Sequence, residues 1–228
     1  IVLRIPGLAY QKGFGGHFHN DNSLAVFRDL PGVIVACPSN GIDAVKMLRR
    51  AVLEAYINSR ITVFIEPIAL YMVKDLHKTK DAKWSFNYPS PEEDIPIGEF
   101  GVYGRGSSLT IISYANGFYL SMQAKLEIEK QINKTIKIID LRWLSDINIS
   151  DLIKSIGKCS KILVVDECRK NGCYGEGLVA DIITASNNPI DIRLHAAENS
   201  FIPLGEAATV TLPSKESIID NAIELYNE

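Results

Sequence analysis

No apolar run among the 228 residues approaches the roughly 20 needed for a helix to cross a bilayer, which excludes a membrane-spanning helix. Basic blocks are missing as well. With a net charge of −3 and no cluster of Lys and Arg, a nucleic-acid partner held by phosphate neutralisation is excluded. Cysteine is sparse, at positions 37, 159, 168 and 173. Cys168 and Cys173 are spaced too widely for a two-residue zinc knuckle, and no second pair completes a four-ligand set. Cys37 lies in an apolar run where a small buried thiol is the default. The four therefore read as reduced thiols of a cytoplasmic protein, with no metal role. Three catalytic signatures are absent too: the Gly-x-x-x-x-Gly-Lys-Ser/Thr phosphate loop, the strand-bound Gly-x-Gly-x-x-Gly and the Gly-x-Ser-x-Gly nucleophile elbow.

What is present is ordinary globular material, 46% hydrophobic and 22% charged, enough to bury a core. The length suits one or two domains of about 100–150 residues each. The opening Ile-Val-Leu-Arg-Ile-Pro has no charged leader or cleavage site. A start at Ile1, already inside an apolar run, suggests a fragment or a processed product.

Residues 1–5 read as a short buried strand stopped by Pro6-Gly7. Residues 23–30 place Leu24, Phe27 and Leu30 at helical spacing before Pro31-Gly32. A second buried strand over 33–36 leads to an amphipathic helix over 41–56, with Ile42, Val45, Leu48, Val52 and Ala55 on one face. A third strand over 61–65 ends at Glu66-Pro67. Near-continuous apolar strands alternating with helices predict parallel pairing in an α/β layer architecture. The polar stretch 75–96, with Pro89, Pro91 and Pro96, breaks this rhythm and reads as a linker across a surface. Beyond it the alternation resumes: an edge strand over 100–103, strands over 109–113, 136–141 and 162–165, and a strand-like run over 192–195. Helices are expected after an Asn116-Gly117 turn, over 149–156, over 176–185 and over 214–226, the last without a clean capping box. This pattern predicts a mostly parallel, doubly wound sheet.

Two stretches carry chemistry. In Gly13-Phe14-Gly15-Gly16-His17-Phe18-His19-Asn20-Asp21-Asn22, glycines permit positive φ and close approach to a ligand, and the histidines can move protons near neutral pH. The same residues also suit a polar surface loop. The run Asn171-Gly172-Cys173-Tyr174-Gly175-Glu176-Gly177 reads as a tight strand-to-helix turn or an anion site at a helix start.

In order along the chain, Gly15-Gly16-His17-Phe18-His19, Ser23-Leu24-Ala25-Val26-Phe27, Leu30-Pro31-Gly32-Val33 and Cys37-Pro38-Ser39 resemble the β subunit of thiamine-diphosphate-dependent 2-oxo acid dehydrogenases, in the transketolase-like superfamily. Phe64-Ile65-Glu66-Pro67 with Leu70-Tyr71, Ile138-Ile139-Asp140-Leu141-Arg142-Trp143-Leu144, Val164-Val165-Asp166-Glu167-Cys168-Arg169 and Ser200-Phe201-Ile202-Pro203-Leu204-Gly205 continue the match. Each motif is weak alone; the ordered set is specific.

The resemblance implies that residues 1–75 are the C-terminal half of a pyrimidine-binding domain, 76–96 a linker and 97–228 a transketolase C-terminal-like domain. Family members place a β-subunit histidine beside the thiazolium ring, usually in a His-Ser-Gln context, and counting back from Pro31-Gly32 puts His19 there. His19-Asn20-Asp21 departs from that context. His17 becomes its neighbour, either supporting His19 from behind or on the substrate side, and Gly15 and Gly16 become candidates for backbone contact with the cofactor or a partner subunit. The implied cofactors are thiamine diphosphate and Mg, bound mainly by residues outside this chain, and no Gly-Asp-Gly magnesium motif occurs here. Glu66 reads as structural. The implied partners are an α subunit or α region, a second β copy and a lipoyl acyltransferase core. Acidic Glu216 and Asp220 on the last helix suit either a solvated helix face or a docking contact with that core. The activity implied is oxidative decarboxylation of a 2-oxo acid with acyl transfer to lipoyl groups, the candidate substrates being pyruvate, a branched-chain 2-oxo acid or, instead of an acid, acetoin, with little activity or cofactor binding in the chain alone. The alternatives are transketolase, deoxyxylulose-phosphate synthase or a non-catalytic assembly module.

Overall fold

Two sheets, one of three strands and one of five, carry the chain in the computed structural model, which describes residues 1–10 and 15–228. The first contains β1 (Val2–Gly7), β2 (Val33–Ala36) and β3 (Ile61–Pro67), all parallel, in the order β1-β3-β2. Helix α1 (Gly41–Ile57) joins β2 to β3 and begins at an Asn40 cap, whose side-chain oxygen accepts from Asp43 N at 2.9 Å. Successive strand residues face opposite layers. Ile34, Ala36 and Phe64 meet Met47 and Ala51 of α1, while Val35, Val63 and Ile65 enter the core shared with the second sheet.

Expected as buried, β1 is largely exposed: Leu3 is 48% and Ile5 37% accessible. Its apolar residues promised a core, but β1 lies at the edge of its sheet and pairs only with β3. The helix expected over 23–30 forms instead as 3₁₀ turns over Leu24–Asp29. Six residues between an uncapped Ser23 and the turn at Pro31 are too few to make an α-helix favourable.

The second sheet has the order β4-β6-β5-β7-β8, from β4 (Gly101–Tyr103), β5 (Thr110–Ser113), β6 (Lys137–Asp140), β7 (Lys161–Arg169) and β8 (Asp191–Ala197). The edge strand β4 runs antiparallel to β6, and every other pair is parallel. On one face, Ile111, Ile138, Leu163 and Val165 pack with α2 (Ala115–Ile132) and α5 (Lys215–Asn227). On the other, Ile112, Ile139, Ile162 and Val164 pack with α3 (Ile149–Ile156) and α4 (Tyr174–Ala185). The doubly wound sheet is therefore as expected, and no helix among the described residues is long and apolar enough to cross a membrane.

Three local expectations change. Asn116-Gly117 lies within the first turn of α2 rather than ahead of it, and a Cβ on Gly117 would sit 2.4 Å from Ser113 Oγ. Helix α5 does have a capping box: Ser214 Oγ accepts from Ser217 N at 3.0 Å, and Ser217 Oγ accepts from Ser214 N at 2.8 Å. The serine hydroxyl does what Glu or Gln does in the usual box. Residues 75–96 contain no strand or helix but are no bare linker. Leu76 and Trp84 are buried in the second sheet's core, with Trp84 edge-on to Tyr119.

The two sheets are joined by backbone. Leu141-Arg142-Trp143-Leu144 runs antiparallel to the free edge of β2: Cys37 N donates to Arg142 O at 2.8 Å, and Leu144 N donates to Val35 O at 2.8 Å. The fully buried Trp143 ring closes this seam with Ile34 and Phe64.

Candidate functional site

From Gly15 on, the glycine–histidine loop packs on the C-terminal end of β7 and on residues 201–204. Gly13 and Phe14 lie outside the described residues. Gly15 and Gly16 both take positive φ, +69° and +52°, and the chain turns through a 3₁₀ segment over Gly16–Phe18. His17 N donates to Ile202 O at 3.3 Å. The half-buried His17 imidazole lies between Phe18 (centroids 4.1 Å apart) and Phe201 (4.7 Å). His19 is exposed, two residues on.

The glycines have a structural task. A Cβ on Gly15 would fall 2.0 Å from His19 Cδ2, and one on Gly16 would fall 3.0 Å from both Ile202 O and Leu204 Cδ2. Their space is taken by the protein's own atoms, so neither forms an open cradle for a diphosphate.

Beneath the loop, two consecutive buried acids, Asp166 and Glu167, stand near the C-terminal end of β7. Asp166 accepts from Tyr114 OH at 2.6 Å, Cys168 N at 2.8 Å and Gly175 N at 2.7 Å. Asp166 thus caps α4, so the anion at the glycine-rich helix start is the protein's own carboxylate. Glu167 accepts from Asn116 N at 3.0 Å and Nδ2 at 2.7 Å, capping α2. Burial drives the Glu167 pKa up to about 8, helped by the neighbouring Asp166 charge and opposed by the Asn116 hydrogen bonds. Asn22 Nδ2 donates to Glu167 O at 2.8 Å, tying the loop to this layer.

Arg169, the last residue of β7, clasps the residues after the histidines. Its Nη1 donates to Asp21 Oδ1 at 2.8 Å and Asn22 Oδ1 at 2.9 Å; its Nη2 donates to Asp21 Oδ2 at 3.3 Å and to Ser23 Oγ. Burial works against the Asp21 carboxylate, but hydrogen bonds from Arg169 and Ser23 and the Arg169 charge hold its pKa below the ordinary range. Asp166, Glu167 and Arg169 were visible in the sequence only as pieces of a motif. The signal was a run of charged residues ending an otherwise apolar strand.

A cavity of about 580 Å³ lies elsewhere, between α1, the end of β3 and residues 70–86. The histidines do not line it. Glu66 does, held by Arg4 Nε and Tyr71 OH, which keep its pKa low against the opposing push of burial. Both partners satisfy the carboxylate within the chain. Among the described residues, no group of three or more His, Cys, Asp or Glu is placed to hold a metal ion.

The arrangement presents an imidazole at an exposed rim on a backbone anchored to a second sheet. Chemically it can give or accept a proton at a group approaching from outside the chain.

Residues 98–198 match the family described as Transketolase, C-terminal domain. Over 231 residues the chain is 29% identical to the pyruvate dehydrogenase E1 component subunit beta of Staphylococcus epidermidis strain RP62A, covering 97% of this chain and 64% of that protein. Over 235 residues it is 30% identical to the subunit of the same name from Staphylococcus aureus strain Mu50, covering 98% and 64%. The chain thus spans less than two thirds of the length of these curated relatives. Among solved structures, a split-gene transketolase described as an inactive beta4 tetramer superposes with a TM-score of 0.71 at 16% identity, covering 99% of this chain and 67% of that one. Transketolase from Campylobacter jejuni gives 0.60 at 14% identity, covering 98% and 31%. At such identities the two structures establish the fold alone.

Proposed function

We propose that this chain, which carries a transketolase C-terminal domain, is the β part of a thiamine-diphosphate-dependent 2-oxo acid dehydrogenase. The observation that carries the reading is similarity to E1 β subunits along nearly the whole chain. The exposed His19 at the rim of a tightly anchored loop supports it. On this reading residues 1–75 are half of a pyrimidine-binding domain, 76–96 the connection and 97–228 the C-terminal domain. Four free, buried cysteines support a cytoplasmic enzyme. An α subunit or α region, a second β copy and a lipoyl acyltransferase core are its partners.

The residues present suit the reacting end of the cofactor and neither its diphosphate nor Mg. The imidazole donor set matches a proton-transfer role, whereas the Gly15 and Gly16 backbone is already covered and no metal-binding cluster exists among the described residues. When bound, thiamine diphosphate supplies the carbanion chemistry of decarboxylation. This chain contributes an imidazole at His19 that donates a proton or balances developing negative charge, with His17, its ring against Phe201, as a substrate-side wall.

The test is reconstitution with the α partner, assaying pyruvate and branched-chain 2-oxo acid decarboxylation against ketol transfer between sugars. Decarboxylation that His19→Ala abolishes is expected. Ketol transfer alone would make the enzyme a transketolase, and full turnover in His19→Ala would remove His19 from the site.

A further inference from the structure

The register of the second sheet breaks beneath the histidine loop. Strands β7 and β8 pair regularly to Asp166↔Ala196, and the next pair is Arg169↔Ala197, so Glu167 and Cys168 have no counterparts on β8. Bulges of this kind re-aim the side chains that follow them and recur beside functional sites. Here the break turns Arg169 onto the loop. Its guanidinium bonds three consecutive residues, Asp21, Asn22 and Ser23, just past His19. The same group lies 5.5 Å from the Phe201 ring, and Phe201 in turn props the His17 ring at 4.7 Å. One side chain thus fixes the loop behind His19 and, through Phe201, the ring of His17.

We infer that Arg169 is a positioning residue for the two histidines: it sets the loop on the second sheet and so aims His19, without touching a reacting atom. This rests on the proposed reading of His19 as the reacting imidazole. It also gives the C-terminal domain a part in turnover beyond assembly. Arginine is required because the contact is both two-pronged and planar, and a lysine supplies one point charge without the stack on Phe201.

The chain has four histidines, so its imidazole ring protons can be assigned by NMR in the full chain. In Arg169→Ala the His17 ring protons are expected to move downfield as the Phe201 stack loosens. Backbone amides of residues 16–23 should exchange about tenfold faster, those of β7 and α4 unchanged. In the complete enzyme, kcat should fall by about 10–100-fold with KM for the 2-oxo acid held, because orientation is lost and binding is not. Arg169→Lys, which keeps the charge, should resemble the alanine variant. The exchanged pair Asp21→Arg with Arg169→Asp should recover more activity than either single change. Native His17 signals and native kcat in Arg169→Ala would overturn the inference, as would a loosened loop with unchanged kcat when His19→Ala is inactive. Full turnover in His19→Ala would sink the reading on which the inference rests, and the inference with it.

Discussion

Gly15 makes room for His19: a methyl group on Gly15 would lie 2.0 Å from His19 Cδ2 and 2.8 Å from its Cβ. Alanine at position 15 would also have to hold φ near +69°, which costs an L-residue about 1–2 kcal/mol. Gly15→Ala should therefore displace the imidazole. The expected outcome is a drop in kcat of about 10²-fold in the complete enzyme, with the unfolding free energy in urea lowered by no more than about 1–2 kcal/mol because the loop lies outside the cores. Steady-state kinetics beside a denaturation curve checks both. A variant as active as the parent would mean that the ring need not sit where the structure places it.

Arg142 and Asp43 form the main ion pair across the seam between the sheets. Arg142 Nε donates to Asp43 Oδ2 at 2.9 Å and Nη2 to Oδ1 at 3.2 Å, with side chains only 13% and 5% accessible. Removing one partner strands the other charge in a dry place. Arg142→Ala should lower the unfolding free energy by about 3–5 kcal/mol in urea titration. A loss well under 1 kcal/mol would show that water reaches Asp43 in solution.

The framework is legible in the sequence because burial on both faces leaves a local trace. Strands β2, β3 and β7 are near-continuous apolar runs, and α3 spans the residues that its periodicity predicts. Strand β1 misleads for the same reason: its apolar residues look like core, and only the pairing order shows them at an edge. The α5 cap hides behind a serine doing the work usually sought in Glu or Gln. At the site, His17 and His19 declare their chemistry by residue type. Arg169 does not. It stands 148 residues from Asp21, and its aim depends on a register break that no local pattern encodes.

All four cysteines are free and buried. Burial, helped by nearby carboxylates, pushes the Cys37 and Cys168 thiols well above their ordinary pKa and Cys173 up to about 12. The thiolate is the reactive form, so the folded chain should scarcely react with Ellman's reagent at pH 8, and four thiols should appear on adding denaturant. A fast-reacting thiol in the native protein would show that one of these sites opens.

Stability should decline with pH across the neutral range, through two buried carboxyls. Asp140 is fully buried; burial first, then the Asp43 charge, raises its pKa to about 7, against Arg142 and the Ser39 hydroxyl that donates at 2.8 Å. Its Oδ2 has no hydrogen-bond partner, which suits the protonated form. Glu167 is raised to about 8. Unfolded, both groups titrate near pH 4. Below that, both states hold the protons and the carboxyls' stabilising contribution is complete. Above it the unfolded chain binds fewer protons than the folded one, so stability falls with rising pH until the folded groups titrate. The loss through Asp140 should be complete by about pH 7 and that through Glu167 by about pH 8. The lowered carboxylates Asp21 and Glu66 act in the opposite direction and lose their contribution as pH falls, so the comparison must be between variants. In urea unfolding from pH 4 to 9, Asp140→Asn should flatten the decline up to about 7, and Glu167→Gln should flatten it up to about 8. Parallel curves for the parent and both variants would mean that the two carboxyls ionise in the folded chain as readily as in the unfolded one.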